Sequence, residues 1–242
     1  YDFRPAYLKI AEIRELLPDI PVLALTATAT PEVVKDIQQR LHFKKENVFR
    51  MSFERKNLAY IVRNTDNKTG EILHILNRMP GSSIIYVRNR KRTKETTLFL
   101  QREGITADFY HAGLNNDVKD LRQKRWQSGE CRVMVATNAF GMGIDKSNVR
   151  WIIHYNMPKS IESFYQEIGR AGRDGLPGDT LLFYALGDLI LLSKFANESG
   201  QQQINQEKLV RMQQYAESDV CRRRILLSYF GETTQKDCGN CD

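Results

Sequence analysis

Cysteine is scarce in this chain, with 4 residues among 242, and no apolar run is long. So few cysteines do not make a disulfide framework, and nothing at the start resembles a signal peptide, so we expect a reducing cytosol. The most apolar stretch, residues 181–192, is interrupted by Gly187 and Asp188. It is shorter than the roughly 20 apolar residues that a membrane-spanning helix needs. A disulfide-stapled secreted domain and a membrane span are therefore both disfavoured.

No charge of one sign dominates, since 36 Lys and Arg stand against 29 Asp and Glu, a formal net charge of +7. This basic excess favours a polyanionic partner only weakly. Apolar residues make up 41% and charged residues 27%, an ordinary globular composition that argues against disorder, collagen and coiled coil. The length suits one or two domains with substantial cores.

A phosphate-binding loop is also missing, because no Gly-x-x-x-x-Gly-Lys-Ser/Thr segment occurs in these residues. Gly141-Met-Gly143 is not a dinucleotide fingerprint either, since no third glycine follows at the required spacing. If the protein binds a nucleotide, the main cradle for its phosphates lies outside these residues.

Strand and helix patterns alternate along most of the chain, which predicts an α/β fold with a parallel sheet covered by helices on both faces. The predicted strands are residues 22–25, 58–62, 83–87, 106–110, 132–136, 150–155 and 180–184. The predicted helices are residues 5–17, 31–41, 71–78, 91–103, 117–128 and 160–171, with Thr30 as an N-cap. Beyond these, a polar linker at 197–203 precedes a small helical module with helices at 205–216 and 219–229, the second closed by Gly231.

Four polar segments follow predicted strands, at the carboxyl edge where open parallel sheets bind ligands. They are residues 26–30, 88–90, 111–113 and 137–145. Each could be an ordinary loop, but four on one edge favour a binding site. Basic residues cluster at 88–94 and again at 119–125. Both runs are typical of solvated helix faces, and Arg88 and Asn89 are the better candidates for phosphate contact.

Residues 166–175 carry the sharpest signal, with Arg170 and Arg173 three apart near the end of a predicted helix and Gly169 and Gly172 at the same spacing. Each glycine costs a helix about 1 kcal/mol relative to alanine. One interpretation is a close backbone approach beside two anion-binding guanidinium groups. The other is a helix end whose glycines form a C-cap and whose arginines meet the helix dipole.

Cys221, Cys238 and Cys241 are spaced C-x16-C-x2-C. This spacing favours zinc over a redox pair, which belongs at a helix start after a strand. Three thiolates are one short of a closed structural zinc site, so we expect the fourth ligand just past Asp242. We expect Cys131 to be a small hydrophobic residue at the edge of the core.

These segments together resemble the RecQ helicases of superfamily two. Leu25-Thr-Ala-Thr-Ala-Thr30 resembles helicase motif III, and Ile84-Ile-Tyr-Val-Arg88 resembles motif IV. Residues 109–113 match the segment that follows it, 135–145 resemble motif V and 166–175 motif VI. Residues 1–7 look like the end of the aromatic-rich loop of the family. The absence of an initiator Met and the position of the last cysteines lead us to expect that both ends are truncated.

The resemblance implies an ATP-dependent DNA helicase that moves three-prime to five-prime on single-stranded DNA and unwinds DNA in recombination and repair. It divides the chain into the end of a first RecA-like lobe (1–57), a second lobe (58–196) and the start of a zinc-binding subdomain (197–242). ATP and Mg²⁺ would bind between the lobes, mostly through residues outside this chain, so we expect the isolated chain to be inactive. The location would be cytoplasmic, at the nucleoid, in a bacterium and nuclear in a eukaryote.

The resemblance also assigns roles to individual residues. Arg173 would be the arginine finger, with Arg170 and Gln166 beside it. The nucleotide cleft would be lined by Gly143, Asp145, Thr26 and Thr28. DNA would be contacted by Arg88, Asn89, His111, Thr137, Phe3 and Arg4, and zinc by the three cysteines. The alternative is a non-catalytic module that binds nucleic acid or a partner, built on a RecA-like lobe and stabilised by zinc, and an RNA helicase of the wider superfamily is a third possibility.

Overall fold

A parallel sheet forms the centre of the computed structural model, which describes residues 5–141 and 144–242. Its strands are β1 (Leu58–Arg63), β2 (Ser82–Tyr86), β3 (Ala107–Tyr110), β4 (Val133–Ala136), β5 (Val149–His154) and β6 (Gly178–Phe183). They lie in the order β1-β6-β5-β2-β4-β3, and every neighbouring pair is parallel. The prediction of a parallel α/β sheet is confirmed.

The helices connect and cover these strands. They are α1 (Pro5–Leu16), α2 (Pro31–Arg40), α3 (Lys68–Arg78), α4 (Arg90–Arg102), α5 (Asn116–Ser128), α6 (Ile161–Ile168), α7 (Leu186–Asn197), α8 (Gln202–Glu217) and α9 (Arg222–Tyr229). Thr30 caps α2 as predicted, and Gly231, with a φ of +81°, follows the end of α9. None of the described helices combines the length and the apolar character that crossing a bilayer requires.

Both faces of the sheet are buried, because alternate residues of each strand point to opposite sides. In β2, Ile84 and Tyr86 belong to a core that includes residues of α5, α6, α8 and α9. Their neighbours Ile85 and Val87 belong to a second core with residues of α3 and α4. Helices therefore cover the sheet on both sides, as the sequence predicts.

The predicted strand at residues 22–25 is wrong. Residues 21–26 have no regular secondary structure, and Leu23 and Leu25 are 78% and 84% exposed. A strand needs a neighbour to satisfy its backbone groups, and the described residues supply none beside this segment. The sequence does contain this apolar run, but no described segment pairs with it as a neighbouring strand.

Two further boundaries differ from the prediction. Residues 186–197, which had no predicted helix, form α7, so the linker shrinks to residues 198–201. Helix α6 ends at Ile168, with Gly169 as its C-cap, so Arg170 and Arg173 do not share a helical face. The physical reason is a turn at Gly172, whose φ is +55° and whose N–H donates to the carbonyl of Val149 at 2.9 Å.

Helix α7 is attached to the sheet by the buried carboxylate of Asp188. Arg88 Nη2 lies 3.0 Å from it and Lys68 Nζ 3.6 Å. The side-chain amide of Asn156 and the backbone N–H of Met157 also donate to it, at 3.0 and 3.2 Å. One carboxylate therefore joins α7 to the ends of two central strands and to α3.

Replacing Asp188 by alanine should lower the free energy of unfolding by about 3 kcal/mol, because it leaves buried donors and cations unpaired. The matched control is Asp36→Ala, which removes the i,i+4 ion pair between Asp36 and Arg40. The side chain of Arg40 is 48% exposed. That pair should contribute about 0.5 kcal/mol or less. Urea unfolding of both variants measures the difference, and equal losses would contradict the role of Asp188.

Candidate functional site

The turn that follows α6, residues 169–175, is called the arginine turn below. Ser160 starts α6 by accepting a hydrogen bond from the N–H of Ser163, and Gly169 ends it. A Cβ at Gly172 would lie 2.5 Å from Asn57 Nδ2 and 2.7 Å from the carbonyl oxygen of Leu176. Together with the positive φ, this close approach requires glycine. The turn thus combines a helix end with a tight backbone contact.

Arg170 lies against the loop that follows β4. A Cβ at Gly141 would be 2.9 Å from Nη2 of Arg170, so the glycine leaves room for the guanidinium group. The Nε of Arg170 is buried, and no described residue accepts a hydrogen bond from it. Nearby, the Tyr86 hydroxyl at the end of β2 donates to the carbonyl of Phe140 at 2.9 Å. Burial, above all, raises the pKa of Tyr86.

Arg173 reaches the same loop further along. Its Nη1 donates to the carbonyl of Ile144 at 3.3 Å and lies 3.8 Å from the carboxylate of Asp145. The two side chains are 40% and 93% exposed. A pair this exposed is weak and is easily exchanged for another anion. The structure therefore brings the predicted residues Arg173 and Asp145 together, with the guanidinium group open to solvent.

Gln166 and Thr28 also meet, although they are 138 positions apart in the sequence. Nε2 of Gln166 donates to Oγ1 of Thr28 at 2.8 Å. Oγ1 of Thr26 accepts from the N–H of Thr28 at 3.3 Å, which shapes that loop. Thr26, Thr28 and Gln166 thus form one contact between the segment before α2 and the helix before the arginine turn.

The predicted DNA contacts lie along the carboxyl edge of three adjacent strands, β2, β4 and β3. Arg88 and Asn89 follow β2, Thr137 follows β4 and His111 follows β3. Arg88 is paired with Asp188, however, and Asn89 uses its side-chain oxygen to accept from the N–H of Arg92 at the start of α4. Phe3, Arg4 and Gly143 lie outside the described residues.

Arg90, which the sequence analysis did not single out, extends over this edge. Its Nη1 would lie 2.7 Å from a Cβ at Gly113. Burial lowers the pKa of His111, and the charges of Arg90 and Arg122 lower it further. In the sequence, Arg90 is indicated only by its place in the first basic run, next to Asn89.

The prediction that the second basic run lies on the surface is wrong for Arg122, whereas Arg125 keeps a 42% exposed side chain. Arg122 Nε lies 3.2 Å and Arg125 Nη1 3.1 Å from the carboxylate of Asp108. The side chains of Arg122 and Asp108 are 20% and 10% exposed. These arginines anchor α5 to β3, because a nearly buried carboxylate requires cationic partners.

A buried pair that local sequence pattern does not indicate joins the end of β5 to α6, the helix that leads to the arginine turn. Nε2 of His154, at the end of β5, lies 2.6 Å from the carboxylate of Glu167 on α6. His154 is 1% exposed and stacks on Tyr86 with ring centroids 5.3 Å apart. In the sequence, the only signal for this pair is that Glu167 directly follows the predicted site residue Gln166.

The three cysteines form a cluster whose sulfur atoms all lie within 4.8 Å of one another. Sγ of Cys241 is 3.3 Å from that of Cys238 and 3.6 Å from that of Cys221. Zinc–sulfur bonds of about 2.3 Å in a tetrahedron place the sulfur atoms about 3.8 Å apart, so the cluster fits zinc. Cys131 lies elsewhere, 1% exposed, in the main core.

The surroundings of the cluster favour a thiolate at Cys221 but not at Cys241, because burial, above all, raises the pKa of Cys241 to about 11. Burial raises the pKa of the Cys221 thiol, but hydrogen bonds from the backbone amides of Cys238 and Arg224 outweigh it and bring the pKa to about 7. The backbone of Cys241 forms an isolated parallel β-bridge with Tyr60 of the edge strand β1, and the N–H of Asp242 donates to the carbonyl of Tyr60 at 3.3 Å. The cysteine segment is therefore docked directly on the sheet.

Two family models match the chain in succession. Residues 67–175 match the helicase conserved C-terminal domain, and residues 186–242 match the RecQ zinc-binding family. The whole chain is 41% identical over 246 residues to the ATP-dependent DNA helicase RecQ of Pasteurella multocida, of which it covers 39%. It is 42% identical over 247 residues to RecQ of Bacillus subtilis, of which it covers 42%.

The chain resembles RecQ helicases along its whole length. It spans about two fifths of the length of these two curated relatives. In fold it resembles the S. cerevisiae protein Dbp5, solved bound to RNA and ADP BeF3, with a TM-score of 0.62 and 20% identity over 86% of this chain and 60% of that chain. The RecA-like architecture expected from the sequence is therefore confirmed, and the cysteine cluster lies within the segment that matches the RecQ zinc-binding model.

Replacing Cys238 by serine should weaken zinc binding by more than about tenfold, since even the loss of an outer partner of a ligand costs that much. The matched control is Cys131→Ser, which removes a thiol that lies outside the cluster. Titration with Zn²⁺ or with Co²⁺, whose spectrum reports thiolate ligation, measures both variants. Equal affinities for the Cys238 variant and the unmodified chain would rule out a site at this cluster.

Proposed function

We propose that this chain supplies the second motor lobe and the zinc module of an ATP-dependent DNA helicase. The enzyme moves three-prime to five-prime on single-stranded DNA and unwinds DNA in recombination and repair, at the nucleoid of a bacterium or in the nucleus of a eukaryote. Its parts are residues 1–57 from a first lobe, 58–196 as the second lobe and 197–242 as the zinc module. Similarity to RecQ helicases over the whole chain supports this proposal.

The observation that carries the proposal is the open guanidinium group of Arg173. Its nearest anionic partner, Asp145, is 93% exposed, so a phosphate can replace that carboxylate. In phosphoryl transfer such a finger stabilises the charge that develops on the transferring group, which is worth about 10³–10⁵ in rate. ATP and Mg²⁺ would be held by a lobe that carries a phosphate-binding loop, since these 242 residues contain none.

Arg170, Gln166 and the threonines complete this side of the cleft. The guanidinium group of Arg170 lies beside the loop that follows β4, and its buried Nε has no acceptor among the described residues. The bond from Gln166 to Thr28 links the helix before the finger to the first-lobe segment. We assign Gly143, Asp145, Thr26 and Thr28 to the nucleotide cleft and to its coupling with DNA.

Single-stranded DNA would lie along the carboxyl edge of β2, β4 and β3. Arg90 would supply a cation there, with His111 and the largely buried Thr137, 8% exposed, at the same edge. Arg88 and Asn89 are already bonded within the fold. They would contact DNA through backbone groups and a partly neutralised charge, not as a free cation. Phe3 and Arg4 would belong to a DNA-sensing loop. Backbone contacts of this kind weaken steeply as salt rises.

In the enzyme that joins this chain to its nucleotide-binding lobe, Arg173→Ala should lower the rate of DNA-stimulated ATP hydrolysis by about 10³-fold or more. ATP affinity should stay within a few-fold, because the finger acts on charge that develops during reaction. Phosphate release and fluorescent-nucleotide binding measure the two quantities.

The matched control is Arg78→Ala, which removes an exposed arginine at the end of α3. This variant should keep the unmodified rate. Turnover of the Arg173 variant at the control's rate would refute the assignment of the finger.

A further inference from the structure

The irregular segment between α2 and β1, residues 41–57, is bonded to the arginine turn by one guanidinium group. Nη1 of Arg55 donates to the carbonyl of Gly169 at 3.1 Å. Nη2 of Arg55 donates to the carbonyls of Ala171 and Gly172, at 2.8 and 3.1 Å. These three acceptors span the backbone on both sides of Arg170, and the last directly precedes Arg173.

The bonding pattern suits arginine and no other side chain. The carbonyl groups at the end of a helix have no partners within it and carry the negative end of the helix dipole. A planar guanidinium fork can donate to several of them at once in a fixed direction, whereas the ammonium of lysine is a point charge on a flexible stem. Arg55 therefore fixes the orientation of the turn and also offsets the partial negative charge at the carboxyl end of α6.

The carbonyl of Gly169 is shared by two arginines. Nε of Arg173 donates to it at 3.4 Å, a longer bond than the one from Arg55. This long bond holds Arg173 weakly, whereas the three shorter bonds from Arg55 hold the backbone of the turn. The backbone is thus fixed while the finger side chain remains free to leave for a phosphate.

The segment that carries Arg55 is itself anchored on three sides. Phe53 stacks on Phe230, at the end of α9, with ring centroids 4.3 Å apart. The N–H of Phe53 donates to the carboxylate of Glu232 at 2.6 Å, and the Tyr165 hydroxyl on α6 donates to the carbonyl of Phe53 at 2.6 Å. Asn57 adds bonds from its Nδ2 to the carbonyls of Gly172 and Leu176, both at 2.8 Å.

We propose that Arg55 is a positioning residue for ATP hydrolysis, which holds the backbone of the arginine turn so that Arg173 faces the nucleotide. The inference rests on the proposed function, because it assumes that Arg173 is the finger. Arg55 touches no nucleotide in this scheme. It acts through the turn, and the stacked contact of Phe53 connects it to the end of α9 in the zinc module.

The test uses the enzyme that joins this chain to its nucleotide-binding lobe. Arg55→Ala should lower kcat by about 10–100-fold, as a misplacement of about 1 Å does, while KM for ATP stays within twofold. Added guanidinium ion, at concentrations that do not unfold the protein, should restore part of the lost kcat. The matched control is Lys56→Ala, since this neighbouring side chain is 84% exposed and lies 3.9 Å from Glu54.

Arg55→Lys keeps the charge but not the fork, and so guards against a variant that does not fold. We expect its kcat to fall at least fivefold with an unchanged unfolding midpoint. In the 242-residue chain, hydrogen exchange at the amides of Gly172 and Asp174, which bond to Val149 and Ser147, should quicken. Unchanged kcat and unchanged exchange in this variant would overturn the proposal.

Measuring Arg173→Ala alongside separates the two possible failures. If that variant is inactive while the Arg55 variants match the control, Arg55 is not a positioning residue and the proposed function stands. If Arg173→Ala keeps full turnover, the finger assignment itself fails, whatever the Arg55 variants do.

Discussion

The close approach of the arginine turn to its neighbours is the constraint on which the site depends. Gly172 can occupy its place only without a side chain, because a Cβ would meet the carbonyl of Leu176 at 2.7 Å. Its N–H bond to Val149 fixes the turn at the start of β5, while Arg170 reaches Gly141 in the loop after β4. A parallel sheet covered by helices makes these contacts possible, because each crossover helix returns the chain from the carboxyl ends of the strands to their amino ends. The guanidinium groups are therefore positioned by backbone geometry more than by their own contacts.

The zinc module and the segment before β1 extend this constraint beyond the sheet. Cys241 and Asp242 dock on the outer edge of β1, and Phe230 packs against Phe53. Arg223, 6% exposed, donates to the carbonyl of Leu58 at 2.9 Å and so joins α9 to the same strand. A metal at the cysteines would thus stabilise an element that contacts both the sheet and the segment carrying Arg55. Such a structural role for zinc is a contribution to folding rather than to chemistry.

Local pattern predicted the six strands of the sheet and most of the helices that connect them, because buried strands of a parallel sheet appear as short apolar runs between helices. It failed where a distant residue decides the outcome. The apolar run at 22–25 lacks a neighbouring strand in the described residues, and the turn at Gly172 depends on Val149 and Asn57. Arg88 was chosen for its position at the carboxyl edge, yet its partner Asp188 lies 100 positions away. The motifs of the family supplied the candidate site residues, whereas the partners that hold them are visible only in three dimensions.

The central claim is that Arg173 acts on charge that exists only while a phosphoryl group is in transit. Its most direct test compares the affinities of ADP and of an ADP–aluminium fluoride complex for the joined enzyme and its Arg173→Ala variant. A finger stabilises the transition state more than the ground state, so the variant should lose about 100-fold or more in affinity for the fluoride complex and almost none for ADP. Equal affinities of the two proteins for the fluoride complex would contradict the claim.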